Sequence, residues 1–105
     1  PVIGFPRGAA GNLRRFSEAT GVNALGIDFA TPIDFVNAHL PPELAVQGNL
    51  DPLRLVVGGQ AMESQARAII EGFANRPHIF NLGHGIVPET PIAHVERLVE
   101  LVKRR

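Results

Sequence analysis

The sequence predicts an α/β fold made of four consecutive parallel βα units. Two observations carry this prediction. Four short apolar runs recur along the 105 residues, and each is followed, after a turn rich in Gly and Pro, by a stretch with helical apolar spacing. No Gly-Ser linker or low-complexity segment interrupts the series. Strands that alternate with helices at this interval join through right-handed crossovers into a parallel sheet. Four such units fit one half of an eight-stranded TIM-type (βα)8 barrel. They also fit a small open parallel sheet of flavodoxin type with helices on both faces. The chain begins at Pro1 and enters the run Val2–Phe5 with no lead-in. That start favours the C-terminal half barrel, with residues 1–105 as a single piece of a longer domain.

The first unit pairs a strand over Val2–Phe5 with a helix from about Ala9 to Thr20. Leu13, Phe16 and Ala19 or Thr20 share one face of it, and Gly21 supplies the C-cap. In the second, the strand Ala24–Ile27 ends at Asp28, and a helix opens at Thr31-Pro32, read as N-cap and first helical residue. Ile33, Val36 and Leu40 form its buried stripe. The third places a strand over Leu44–Gln47, a Gly48-Asn49-Leu50 turn and a helix start at Asp51-Pro52. Gly58-Gly59 interrupts that helical region. A longer helix follows, with Met62, Ala66, Ile69 or Ile70, and Phe73 inward. In the fourth, an apolar run from Ile79 to Leu82 breaks at Gly83 and delivers His84 between two glycines. Its helix opens at Thr90-Pro91, with Ile92, Val95, Val99 and Val102 inward.

Composition narrows the chemistry. Hydrophobic residues make up 45% of the chain, which supports a packed core. Ten basic and ten acidic residues cancel, so there is no charge excess for a polyanion, and nucleic acid is not an expected partner. Only Lys103-Arg104-Arg105 cluster, and they suit the negative end of a final helix. Without cysteine there are no disulfides, thiolate ligands or thiol nucleophiles. No apolar run approaches the roughly 20 residues of a membrane helix. No two of His39, His78, His84 and His94 stand four apart on a helix as zinc ligands do, so no metal site is expected.

Each strand's carboxyl end leads into a turn where α/β proteins place their chemistry. In a barrel these four turns crowd one rim and bring together Arg7, Asp28, Asn49, Asp51 and His84. Asp51 reads as an N-cap because Pro52 follows it. Asp28 suits capping of its own turn and Asn49 bracing of its own loop. Arg7 reads as an exposed cation. Gly8-Ala9-Ala10-Gly11 offers backbone amides to an anion but lacks the Lys-Ser/Thr of a nucleotide loop. His84 stands between satisfying backbone groups in a tight turn and using its accessible pKa to pair with a carboxylate or move a proton. Its flanking glycines permit close approach of a ligand to the backbone.

These residues carry a family resemblance. Asn81-Leu82-Gly83-His84-Gly85-Ile86, with Pro88 and Thr90-Pro91, resembles the C-terminal signature of the uroporphyrinogen decarboxylase family. Gln47-Gly48-Asn49-Leu50-Asp51-Pro52, Leu25-Gly26-Ile27-Asp28 and Pro1–Phe5 resemble its preceding strand ends, in the same order and spacing. The resemblance implies a cytoplasmic (βα)8-barrel enzyme, usually a homodimer. Such an enzyme removes the four acetate carboxyl groups of uroporphyrinogen III without metal or organic cofactor. It also implies that His84 contacts the tetrapyrrole substrate. The family's pyrrole-binding Asp, its Arg-bearing motif, its Tyr and its Ser have no counterpart here, and Asp28 and Asp51 match other motifs, so no catalytic residue is assigned within this chain. Two alternatives stand beside this reading. One is a methyltransferase of the same superfamily, although its usual zinc-holding Cys is absent. The other is a non-enzymatic α/β module that self-associates through its open edges.

Overall fold

The computed structural model describes residues 1–6 and 12–104. Arg7, the Gly8–Gly11 stretch, the helix start near Ala9 and Arg105 lie outside the described residues. The elements run β1 (Ile3–Gly4), α1 (Leu13–Thr20), β2 (Ala24–Gly26), α2 (Ile33–His39), β3 (Ala45–Gln47), α3 (Pro52–Val57), α4 (Gly59–Gly72), β4 (His78–Ile79) and α5 (Ile92–Lys103). All strand pairs are parallel, and the spatial order β1-β2-β3-β4 follows the chain. The expected α/β fold with one four-stranded parallel sheet is present, and its strand order lacks the reversal of a doubly wound sheet.

Register and burial separate the two faces of the sheet. Gly4, Leu25, Val46 and His78 are paired neighbours in one row across the strands. Leu25 and Val46 in that row are completely buried, in one core with Val36, Leu55, Met62 and Ile69 of the helices and Phe73 at the C-cap of α4. Side chains alternate along a strand, so Ile3, Phe5, Gln47 and Ile79 belong to the other face. There Ile3, Phe5 and Ile79 are each 47% exposed. One face therefore carries the core, and the other stands largely open.

Local chemistry explains most element boundaries. Gly21 ends α1 in the left-handed conformation at φ 63°, its N–H donating to Ser17 O at 3.1 Å. Asp51 caps α3, its Oδ1 accepting from Leu53 N at 2.9 Å with Pro52 in the first turn. Gly58 and Gly59, at φ 67° and 61°, divide α3 from α4 as expected. A Cβ on Gly58 would come within 2.6 Å of the His94 ring, so glycine here also lets α5 dock on the break.

Several expectations are corrected. Thr31 and Thr90 do not cap helices. Pro32 and Pro91 take extended backbone (ψ 142° and 136°) and occupy the cap position themselves, which moves both helix starts one residue on. The two hydroxyls turn back instead, Thr31 Oγ1 donating to Asp28 Oδ1 at 2.8 Å and Thr90 Oγ1 to Val87 O at 2.7 Å. Ala19 and Thr20 are exposed, because α1 flanks the edge strand β1 and packs through its first turns. The fourth strand pairs regularly only at His78–Ile79, with a further isolated bridge between Leu50 and Leu82. On α5, Leu98 and Leu101 are the buried residues, while Ile92 is 75% and Val99 46% exposed. That helix is apolar on two faces, and only one of them meets α3 and α4. The expected stripe of α4 is buried, with Ile69 rather than Ile70 at its centre.

The opposite end of the sheet is tied by a buried cation. Arg76, 8% exposed, donates from Nε to Asn37 Oδ1 (3.0 Å), from Nη1 to Pro41 O (2.9 Å) and Leu44 O (3.0 Å), and from Nη2 to Leu40 O (3.3 Å). Burial pushes its pKa down from the ordinary value, while Glu43 pushes it up. Asn37 Nδ2 in turn donates to Gly72 O at 2.7 Å, closing the link between α2 and α4. On the outer surface Glu63 accepts from Arg97 Nη2 at 2.8 Å. The hydrogen bond from Arg97 holds its carboxyl below the usual range.

Candidate functional site

The carboxyl ends of the strands form a rim in which three turns are locked together. Asn49, 4% exposed, spans two of them: its Nδ2 donates to Asp28 O and Thr31 O, both at 3.0 Å. The expectation that Asn49 braces its own loop is thus corrected; it braces the turn after β2. Asp28 Oδ1 accepts from Ala30 N at 3.1 Å and from Thr31 Oγ1, which fits the expected structural role in its own turn. The third turn is held by backbone bonds from Leu50 N to Asn81 O (3.1 Å) and from Gly83 N to Leu50 O (2.8 Å).

Two glycines permit this closeness. A Cβ on Gly48, at φ 136°, would stand 2.7 Å from Ile27 O. A Cβ on Gly83 would collide with the backbone N of Phe29. Gly83 is therefore required by the neighbouring turn rather than by a ligand, and of the two glycines flanking His84 it is Gly85 that looks into open space. The expectation that both glycines admit a ligand is corrected for Gly83.

His84 follows this anchored glycine directly. It borders a cleft of about 520 Å³ at the open face of the sheet, lined by Phe5, Gly26, Ile27, Gln47, Asn81, Leu82, His84, Gly85 and Ile86. Phe5 lies across Gly26, where a Cβ would come within 2.9 Å of its ring, and so forms one wall. Apart from His84, the polar side chains among these lining residues are the amides of Gln47 and Asn81, and none of the lining residues is an acid, Lys or Arg. Asn81 Oδ1 accepts from Leu82 N at 2.8 Å, leaving its amide N–H groups as donors.

The four histidines divide sharply. His39 Nδ1 donates to Phe35 O at 2.9 Å, His78 Nε2 to Gly48 O at 2.7 Å and His94 Nδ1 to Leu55 O at 2.8 Å. A carbonyl acceptor fixes the proton on each of those nitrogens. His84 is exposed and makes no hydrogen bond or ion pair with the described residues, so both ring nitrogens are available to a ligand. Its surroundings can present one imidazole and two amides to an acceptor-rich group over an apolar floor. Of the other rim residues expected from the sequence, Asp28, Asn49 and Asp51 are engaged in holding turns and do not line the cleft. Among the described residues no three His, Asp or Glu side chains are grouped to hold a metal ion. No helix among them is long and apolar enough to cross a membrane.

Sequence reasoning gave Gln47, Asn81 and Phe5 no role of their own. The available signal was a polar residue closing the apolar run Leu44–Val46, at an alternation position opposite the buried Val46.

Comparison with known proteins agrees with the strand-end motifs. The family described as uroporphyrinogen decarboxylase (URO-D) matches residues 1–105. Proteins named uroporphyrinogen decarboxylase from Sphingopyxis alaskensis, Rhizorhabdus wittichii and Hyphomonas neptunium are 56%, 53% and 52% identical to this chain, each over 98% of it. The chain spans 30% of the length of each of these relatives. With its whole length matched and its strand-end motifs placed around one cleft, the chain belongs to the uroporphyrinogen decarboxylase family.

Proposed function

We propose that residues 1–105 are the C-terminal half of a (βα)8-barrel enzyme that decarboxylates the four acetate side chains of uroporphyrinogen III to give coproporphyrinogen III. In this proposal the complete enzyme is a cytoplasmic homodimer that needs no metal or organic cofactor, and this segment alone is inactive. The observation that carries the reading is His84, the histidine with a free imidazole, facing the cleft within the family's Asn81–Gly85 motif. The in-order parallel sheet, covered by helices on one face and open on the other, is what half of a barrel requires.

Loss of carbon dioxide from a pyrrole acetate becomes feasible when the ring carbon is protonated, so that the electron pair of the breaking bond has somewhere to go. A site for this chemistry must hold several carboxylates. His84 suits that task through a charge-assisted hydrogen bond, and its role is to bind and orient substrate rather than to supply the principal proton. Such a bond contributes about 1.5–3 kcal/mol, or roughly 10- to 150-fold in kcat/KM. His84→Gln in the full-length enzyme should lower kcat/KM within that range, with folding preserved by circular dichroism. Unchanged kinetics would remove His84 from the substrate, and complete loss of turnover in a folded protein would make it more than a binding group.

A further inference from the structure

Gln47 is the polar interruption on the open face of the sheet. Its paired neighbours are Gly26, over which Phe5 lies, and Ile79, so the row across the strands reads Phe5, Gly26, Gln47, Ile79. The Gln47 side-chain amide has no hydrogen-bond partner among the described residues, although the residue is half-buried and its backbone carbonyl accepts from Ile27 N at 2.8 Å. The amide is not among the buried unpartnered groups, so solvent still reaches it; covering the face without offering it a partner would cost stability. Nothing in the packing of this segment requires Gln47 to be polar. Its placement on the floor of the cleft that His84 borders supplies a reason.

We propose that Gln47 is a substrate-binding residue, its Nε2–H donating to a carboxylate arm of the ligand that His84 holds from the rim. This rests on the reading of the cleft as a tetrapyrrole site and adds to it a specific floor contact. The direction of the hydrogen bond follows from its neighbours. Asn81 has its oxygen engaged and presents N–H groups, and a histidine at the rim presents a ring N–H. Free donors around an apolar floor match an acceptor-rich group. Neutral donors also hold a carboxylate without the point charge that would bind it too tightly to release.

The test uses the full-length enzyme, Gln47→Met and Gln47→Glu, with uroporphyrinogen binding, steady-state kinetics and Tm. Gln47→Met keeps the length of the side chain and removes the amide. It should weaken binding roughly 10- to 150-fold, the size of one lost hydrogen bond to a charged group, while Tm is unchanged or raised. A structural amide would instead give a lower Tm. Gln47→Glu keeps the shape and opposes a carboxylate with a carboxylate, so it should weaken binding more than Gln47→Met does. Wild-type affinity in Gln47→Met overturns the contact, and a lowered Tm with it assigns Gln47 to the frame. Wild-type or tighter binding by Gln47→Glu overturns the donor assignment, since it means the amide oxygen accepts from a ligand N–H. If Gln47→Glu does not fold, Gln47→Met alone decides. A wild-type enzyme that neither binds nor turns over uroporphyrinogen overturns both the proposed function and this contact; normal turnover with normal Gln47→Met affinity overturns this contact alone.

Discussion

Arg76 offers the sharpest test of how this segment is held together. Its guanidinium makes four hydrogen bonds, to Asn37 Oδ1 and to the carbonyls of Leu40, Pro41 and Leu44, and gathers the chain between α2 and β3 against the start of β4. A hydrogen bond from a charged donor contributes about 1.5–3 kcal/mol net of water. Four of them do not sum, because the cation also gives up hydration on entering a site where it is 8% exposed. Replacement by Met retains the stem and removes the charge and its cost, but it strands acceptors that have no means of neutralising themselves. Pro41 O keeps the bond from Leu44 N at 3.1 Å, and the remaining carbonyls must recruit water. A loss of about 3 kcal/mol follows for Arg76→Met, two to three acceptors each left partly unsatisfied at about 1–1.5 kcal/mol. Arg76→Lys should lose about half of that, since an ammonium reaches one or two of the acceptors and lacks the fork that engages all four. In a protein several hundred residues long each kcal/mol moves Tm by roughly 1–2 °C. The expected shifts are thus about 3–6 °C for Met and about half that for Lys, read by far-ultraviolet circular dichroism of the full-length protein. A Met variant as stable as wild type would refute the reasoning, because the cost of burying the cation would then equal everything its hydrogen bonds contribute.

Two further outcomes follow from the rim and the outer surface. Gly83→Ala should strongly destabilise the protein or lower its soluble yield, since the added Cβ meets the Phe29 backbone, whereas Gly85→Ala, with nothing within 4 Å, should fold normally; equal tolerance of both in thermal melts would disprove the close approach. Glu63, held below its ordinary value of 4.5 by the Arg97 hydrogen bond, contributes stability that is complete above the unfolded pKa and is lost as pH falls through the lower folded value. Glu63→Gln should therefore flatten the decline of Tm below about pH 4.5, and an unchanged acid limb would show that the surface pair contributes nothing.

What could be read from the sequence was what depends on neighbours along the chain. Gly21, Asp51-Pro52 and Gly58-Gly59 act within a few residues of themselves, and each terminates or starts an element where expected. The stripe of α4 was legible because that helix has one apolar face. On α5 Val95, Leu98, Val99, Leu101 and Val102 surround most of the helix, and the choice among them is made by α3 and α4 rather than by period. Arg76 was illegible for a related reason: beside Asn75 and Pro77 it resembles any loop arginine, and its acceptors lie 32–39 residues away. Asn49 likewise finds its partners 18 and 21 residues earlier. The site showed the same division. His84 was visible from its motif, while Gln47 emerged only when the register placed it on the open face opposite Val46.

The partnered residues are what give the unpartnered ones their meaning. An exposed imidazole in a mobile turn would be poorly placed to hold a ligand, because ordering it on binding costs entropy that the contact must offset. In its proposed role His84 would avoid much of that cost. The residue before it is pinned by a 2.8 Å bond to Leu50 O and wedged against Phe29, and the turn of Phe29 is in turn held by the two bonds from Asn49. His78, one strand repeat below, fixes the carbonyl of Gly48 at the base of the same lattice. Most of the hydrogen-bonding capacity of these turns is spent on one another, and among the cleft's described polar side chains the ring of His84, the amide of Gln47 and the N–H groups of Asn81 are left over. A surface loop with the same residues but without that lattice would carry no such inference. The firmness of the surrounding turns is therefore what would make an exposed imidazole at this rim useful to a ligand.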